Sequence, residues 1–239
     1  MRLLPFSQLP KFLQTDEVRP YYDILKSKRT SLFLKRMLDV IAAFLLMIVL
    51  LLPMAVIAVA IKCSSDGPVI YKQVRVTTYG KRFKIWKFRT MKVGSDALGE
   101  LTCSDDDRVT KIGKFLRKYR LDELPQIINI FLGQMSIIGP RPALWNQDDL
   151  IAERDKYGAN DVKPGLTGWA QINGRDELEI PVKAQLDGVY VERLSFSFDC
   201  KCFFGTVKSV LKSDGVVEGG TGEMKKQDAI KEEQEAMTK

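Results

Sequence analysis

From Val40 to Ile61 the sequence runs VIAAFLLMIVLLLPMAVIAVAI, without a charge or a strongly polar side chain. At ~1.5 Å per residue a straight helix of this length just crosses a ~30 Å hydrocarbon core. Soluble cores rarely need so long an uninterrupted apolar run, so the segment reads as membrane-embedded. Two features argue against a plain span. Pro53 removes one helical hydrogen bond and crowds the carbonyl of Val49, which bends or breaks the helix. Basic residues also flank both ends: Lys26, Lys28, Arg29, Lys35 and Arg36 before the run, and Lys62, Lys72, Arg75, Lys81 and Arg82 after it. Cytoplasmic loops collect Lys and Arg, so two basic flanks imply two ends on one face. The expectation is a re-entrant helix–break–helix hairpin over residues 32–62, kinked at Pro53. An ordinary kinked transmembrane helix is the alternative.

The rest of the chain is charged. Apolar residues make up 45% of the 239, yet the mean hydropathy is only −0.11, because the hydrophobicity is concentrated in that one run. A net charge of +7 calls for acidic partners. Beside a membrane segment these are anionic lipids and phosphorylated substrates, and no nucleic-acid partner is expected. There is no histidine, which excludes His-based triads, His general acid/base chemistry and His-ligated zinc. Cys63, Cys103, Cys200 and Cys202 form no CxxC pair and read as reduced cytosolic thiols, the last two in a helix.

The expected division is an N-terminal extension (1–31), the membrane element (32–62), a cytosolic catalytic domain (63–212) and a flexible tail (213–239). Residues 1–34 hold no apolar run long enough for a signal-peptide core. Leu3, Leu4, Phe6, Leu9, Phe12 and Leu13 suit a short interfacial helix, but Pro5 and Pro10 interrupt the pattern. Val69–Val76 and Lys81–Met91 read as two strands around a Thr77–Gly80 loop, with Phe83 and Ile85 alternating against Arg82, Lys84 and Trp86. Most cations of this ribbon read as a solvated face near anionic lipid; Arg89, at the strand end, is the one given a phosphate role.

Arg108 to Arg120 has helical spacing, with Ile112, Phe115, Leu116 and Tyr119 on one face and five cations on the others, as a membrane-surface helix requires. Next, Asp122-Glu123-Leu124-Pro125 reads as a helix start, with Asp122 as cap and Glu123 matched to the helix dipole. A helix N-terminus also binds phosphate, and Arg117 lies one turn before it. Two adjacent carboxylates there suit Mg²⁺ with a pyrophosphate substrate. Gly139-Pro140-Arg141-Pro142 fixes an arginine between prolines. Lys163–Arg175 reads as turn, short strand and an Asn-Gly hairpin turn ending in Arg175. Two arginines on rigid turns are what clamping a pyrophosphate requires. Lys183–Arg193 and Phe196–Lys212 read as two further helices, the second either on the membrane or closing the core.

In order, the Pro-broken run, SSDGPVIYKQVRV, KRFKIWKFRTM, DRVTKIGKFLRKYRLDELPQ, GQMSIIGPRP and KPGLTGWAQINGR resemble the bacterial sugar transferases, the monotopic polyprenyl-phosphate phosphoglycosyl transferases. The likeness covers about Leu32 to Val217, in the small, catalytic-core form. It implies a helix-rich α/β enzyme with a membrane-surface domain, on the cytoplasmic face of the bacterial inner membrane. It also implies transfer of a phosphosugar from a UDP-sugar to polyprenyl phosphate with release of UMP, and downstream glycosyltransferases as partners. The family's Asp-Glu dyad falls on Asp122 and Glu123, with Asp122 as nucleophile and Mg²⁺ at the dyad. Its phosphate-binding arginines match Arg117, Arg141 and Arg175. Leu52 stands where members commonly have Ser before the kink proline, and Thr77 where a Gly is usual.

Two other readings compete. A membrane-tethered glycosidase needs carboxylates ~5 to 9.5 Å apart across a bond, and adjacent residues are badly placed for that. A non-enzymatic basic scaffold leaves the rigid arginine turns without purpose.

Overall fold

The computed structural model describes residues 3–95, 107–174 and 178–211; Cys103, Arg175 and the tail from 213 to 239 lie outside the described residues. Helix α1 (Arg19–Ser27) and α2 (Arg29–Ser64) come first, then the ribbon β1 (Ile70–Val76) and β2 (Arg82–Phe88). Next are α3 (Lys111–Lys118), a 3₁₀ turn at Leu121–Glu123, α4 (Gln126–Phe131) and β3 (Ser136–Ile138). The chain continues with α5 (Asp148–Asp155), β4 (Gly165–Thr167), α6 (Trp169–Ile172), α7 (Ile180–Arg193) and α8 (Phe196–Leu211). This is a helix-rich α/β chain with two small sheets.

The apolar run forms most of α2, a 36-residue helix that continues through Pro53 where a break was expected. One missing donor does not stop a helix whose neighbouring turns are packed, and here both sides of the proline are held. Ala43, Met47 and Leu50 pack with Phe83, Ile85, Ile127 and Ile130, while Met54, Ile57, Ala58 and Ile61 pack with Phe88 and Leu116. Polar residues of its first turns also bind the domain. Arg36 donates to the carbonyls of Ile130 (2.7 Å) and Phe131 (2.9 Å), and Asp39 Oδ1 accepts from Ile137 N (3.0 Å). The domain thus touches α2 from Leu32 to Ile61. The opposite face, including Ile41, Phe44, Ile48, Leu51 and Leu52, is exposed. The helix is long and apolar enough to cross a membrane by length and composition.

Residues before α2 are part of the core. Pro5 and Pro10 each begin a 3₁₀ turn, Phe6–Gln8 and Lys11–Leu13, so the prolines that interrupt an interfacial helix fold the segment onto the domain. Leu3, Leu9, Leu13, Tyr22 and Leu25 are buried with Val162, Tyr190 and Val191. Tyr22 Oη donates to Leu4 O (3.0 Å), and Leu4 N donates to Tyr79 Oη (3.3 Å), tying the segment to the ribbon tip.

β1 and β2 pair antiparallel, Ile70 opposite Phe88 and Val76 opposite Arg82, as their alternation requires. Asn129 of α4 then acts as a strand edge for β2: its Oδ1 accepts from Trp86 N (3.0 Å) and its Nδ2 donates to Lys84 O (2.8 Å). As far as Gly174, the segment from Lys163 is not a hairpin. β4 pairs parallel with β3, and Asn173-Gly174 ends α6, with Asn173 Nδ2 donating to Trp169 O (2.7 Å). Glycine permits the parallel pair: a Cβ on Gly165 would lie 2.1 Å from Gly139 N.

One buried group costs stability. Asp161 is fully buried and neither carboxylate oxygen has a hydrogen-bond partner. Burial, with Asp155 nearby, pushes its pKa up to about 7. A raised carboxylate pKa means the folded state holds a proton that the unfolded chain has lost, so stability falls as pH rises from about 4 through about 7. Asp161→Asn is therefore expected to raise the melting temperature at about pH 8 and to leave it nearly unchanged at about pH 4. Thermal unfolding in detergent at both pH values checks this; equal shifts at both would remove Asp161 from the pH dependence.

Candidate active site

The turn that carries Asp122 and Glu123 is made by a backbone reversal. Thr110 caps α3, its hydroxyl accepting from Gly113 N (3.0 Å); α3 ends at Lys118, and two residues on Arg120 has a left-handed φ of 55°. That position after a helix favours glycine, and a side chain there costs about 1–2 kcal/mol. The reversal throws Leu121–Glu123 into a single 3₁₀ turn, and α4 begins only at Gln126. Asp122 is thus not the cap of α4: the dyad sits in its own turn, with Pro125 between it and the helix. Both carboxylates are buried, at 3% and 5% exposure.

Glu123 is surrounded by cations. Its Oε1 meets Arg141 Nη2 at 2.8 Å and Lys87 Nζ at 3.5 Å, and its Oε2 meets Arg120 Nη1 at 3.7 Å. Burial alone would raise its pKa, but Arg141, then Lys87 and Arg120, hold it well below the usual carboxylate range. The ion cluster therefore contributes stability above the ordinary carboxylate pKa, and loses it only as pH falls through the depressed value.

Arg141 is placed by its backbone as much as by its prolines. Arg154 Nη1 donates to Arg141 O (2.8 Å), and Arg154 is itself fixed by Asp187 through Nε (2.7 Å) and Nη2 (2.6 Å). Burial pushes the Asp187 pKa up, with Arg154 opposing. From the other side Arg75 Nη1 donates to Pro142 O (3.0 Å) and Val76 N to Ala143 O (3.0 Å), so β1 grips the segment just past Arg141.

Three cations gathered on Glu123, beside a long apolar helix with one exposed face, occupy a chain whose residues 30–213 match the bacterial sugar transferase family. The chain belongs to that family.

Among relatives of this sugar transferase is the uncharacterized sugar transferase EpsL of Bacillus subtilis (strain 168). It is 41% identical over 189 residues, which is 77% of this chain and 91% of the relative. The UDP-glucose:undecaprenyl-phosphate glucose-1-phosphate transferase of Escherichia coli (strain K12) is 42% identical over 204 residues, 80% of this chain and 42% of the relative. The undecaprenyl-phosphate galactose phosphotransferase of Salmonella typhimurium is 35% identical over 206 residues, 79% of this chain and 43% of the relative. The chain therefore spans less than half the length of these last two.

Within this sugar transferase, Arg141 meets Glu123, the chain neighbour of Asp122. Arg117 sits one turn earlier, its Nε donating to Thr90 Oγ1 (2.9 Å). Arg89 Nη2 donates to Ser65 O (2.7 Å) and Oγ (2.8 Å), which ties the end of β2 to the end of α2. Lys87 and Arg120 were not singled out as site residues. A signal for Lys87 was present, because Phe83 and Ile85 set the inward phase of β2 and Lys87 continues it. Nothing in the sequence announced the left-handed turn at Arg120.

Proposed function

We propose that this enzyme transfers a sugar 1-phosphate from a UDP-sugar to polyprenyl phosphate, releasing UMP, through a covalent intermediate on Asp122. The observation that carries the reading is the ion cluster beside Asp122. Glu123, next to it in the same buried turn, gathers Arg141, Lys87 and Arg120, the kind of cations a diphosphate substrate calls for. The names of the relatives, which specify UDP-glucose and undecaprenyl-phosphate substrates, support the same reaction class.

Asp122 attacks the sugar-bearing phosphorus of the donor. The bond from that phosphorus to the bridging oxygen breaks, and UMP leaves with the electron pair. An oxygen of polyprenyl phosphate then attacks the same phosphorus and breaks the aspartyl–phosphorus bond, restoring the carboxylate and giving the polyprenyl diphosphosugar. Arg141, Lys87 and Arg120 face the negative charge that develops on the diphosphate, with Arg117 and Arg175 assigned to substrate phosphates as well.

Among the described residues no group of three or more acidic or cysteine side chains gathers for a metal. Mg²⁺ commonly uses one or two carboxylates with substrate phosphates, and the buried, adjacent Asp122 and Glu123 would be the pair to hold it. When bound, the ion supplies charge neutralisation between Asp122 and the diphosphate.

Incubating the full chain with Mg²⁺, polyprenyl phosphate and a panel of UDP-sugars tests the reaction. UMP release with one or a few donors is expected. A chain that folds, binds the membrane and releases UMP from none would favour the scaffold reading.

We also propose that both ends of α2 lie on the cytoplasmic face, with the helix bent near Pro53 within one leaflet. One compact domain holds α2 on both sides of the proline, and a span would have to drag that domain into the bilayer. Cysteines introduced near residue 20 and in the tail, in a background lacking the four native ones, are expected to be equally shielded from an impermeant thiol reagent in intact cells. Labelling at one end only would establish a span. Pro53→Ala restores a donor and is expected to push α2 toward spanning.

A further inference from the structure

Beyond the phosphate-handling cluster, the chain carries an apolar groove that the reaction as described does not use. It is a cavity of about 510 Å³ between the first half of α2 and the start of α8, floored by Ile137 and Ile138 of β3. Leu38, Ile41 and Leu45 form one wall, and Phe203 and Phe204 form part of the other. All five are exposed, and the α2 wall runs directly into the lipid-facing side of that helix. From Leu34 to Leu45 the wall is about 16 Å long at ~1.5 Å per residue.

The charges in the groove decide what kind of lipid fits. Among the described residues the one cation lining it is Lys35, which is paired with Asp199 at 2.8 Å, and Asp39 lies beside them with Oδ1 committed to Ile137 N. The described lining is thus net negative and offers no spare cation for an anionic headgroup. A phospholipid seated here would need one, whereas a chain whose phosphate is held elsewhere would not. The floor leads to such a place. Ile138 is followed by Gly139, Pro140 and Arg141, so Arg141 lies within about 11 Å of the floor at the greatest extension of the backbone. Its guanidinium is on Glu123.

We propose that this groove binds the isoprenoid tail of the lipid acceptor, a few units back from its phosphate, and so sets the enzyme's preference for acceptor chain length. The inference rests on the polyprenyl-phosphate reading given above. Burial of apolar chain here lowers the acceptor KM without acting on the reacting atoms.

The test fills the groove. Ala42 and Cys200 line it and are half-buried. In Ala42→Phe and Cys200→Phe, the KM for long-chain polyprenyl phosphate is expected to rise about tenfold, equivalent to losing burial of roughly two methylenes. The KM for geranyl phosphate, which is too short to use the groove, and kcat for both acceptors should be unchanged. Equal changes for both acceptors, or none for either, would overturn the proposal. In a second arm, wild-type chain in nanodiscs is exposed to polyprenyl phosphate carrying a tail diazirine, or to phosphatidylglycerol carrying the same group on an acyl chain. The acceptor probe should label peptides from 38–45 and 196–204. Labelling by the phospholipid probe alone would assign the groove to bulk lipid. UMP release without acceptor reports the donor chemistry separately, and the photolabelling arm decides the groove even if that chemistry fails.

Discussion

Asp122→Asn is expected to abolish both UMP release and any covalent adduct, a loss on the order of a thousandfold or more. Wild-type enzyme with Mg²⁺ and the correct UDP-sugar, but no polyprenyl phosphate, should release about one UMP per active site and gain the phosphosugar mass on the peptide containing Asp122. The amide is nearly isosteric but a poor nucleophile, and the 3₁₀ turn that holds it is fixed by backbone bonds, Glu123 N to Arg120 O (3.2 Å) and Leu124 N to Leu121 O (3.3 Å). Folding should therefore be preserved while chemistry is lost. Glu123→Gln makes an informative contrast. It leaves three cations facing a neutral side chain, so a loss of stability is expected beside a loss of rate. If UMP appears only when the acceptor is present and no adduct can be trapped, direct transfer is the better mechanism and Asp122 becomes a metal ligand.

The second large effect lies away from the reacting atoms. Asp187→Ala strands Arg154 as an unpaired charge in a buried site, which costs about 3–5 kcal/mol. At ~2–4 °C per kcal/mol for a domain of this size, the melting temperature should fall by roughly 10 °C. The double variant Arg154→Met/Asp187→Leu removes both charges, and buried pairs replaced by apolar residues often keep or gain stability. Its melting temperature should recover, but its UMP release should not, because the Arg154 donation to Arg141 O is lost. Thermal unfolding and UMP assays on the two variants separate the roles. Recovery of both properties in the double variant would reduce the pair to a structural one.

The elements with strong periodic signals were legible in the chain. The ribbon of β1 and β2, the basic helix α3 and helices α7 and α8 fall where alternation or 3.6-residue spacing placed them. Arg141 was legible as an arginine on a rigid turn, since proline restricts the backbone locally, whereas Asp122 and Glu123 read as a helix start and stand in a 3₁₀ turn of their own. Long-range partners were not. The N-terminal residues looked like a broken interfacial helix because Pro5 and Pro10 defeat the helical pattern, yet their leucines find a core formed by Val162, Tyr190 and Val191 more than a hundred residues away.

The same division holds in detail at the site. Asn173-Gly174 carries a hairpin signature, and local chemistry by itself supports that reading, but the parallel partner at Ser136–Ile138 decided the outcome. Sequence by itself determined that this chain has a helix long and apolar enough to cross a membrane and an arginine fixed between prolines, because apolar length, charge and proline act locally. Only the tertiary structure decided that Glu123 belongs to Arg141, Lys87 and Arg120, that Arg154 and Asp187 hold Arg141 in place, and that α2 rests on the domain along both sides of Pro53. Those are contacts between distant segments, and no periodicity within one segment encodes which other segment will close against it.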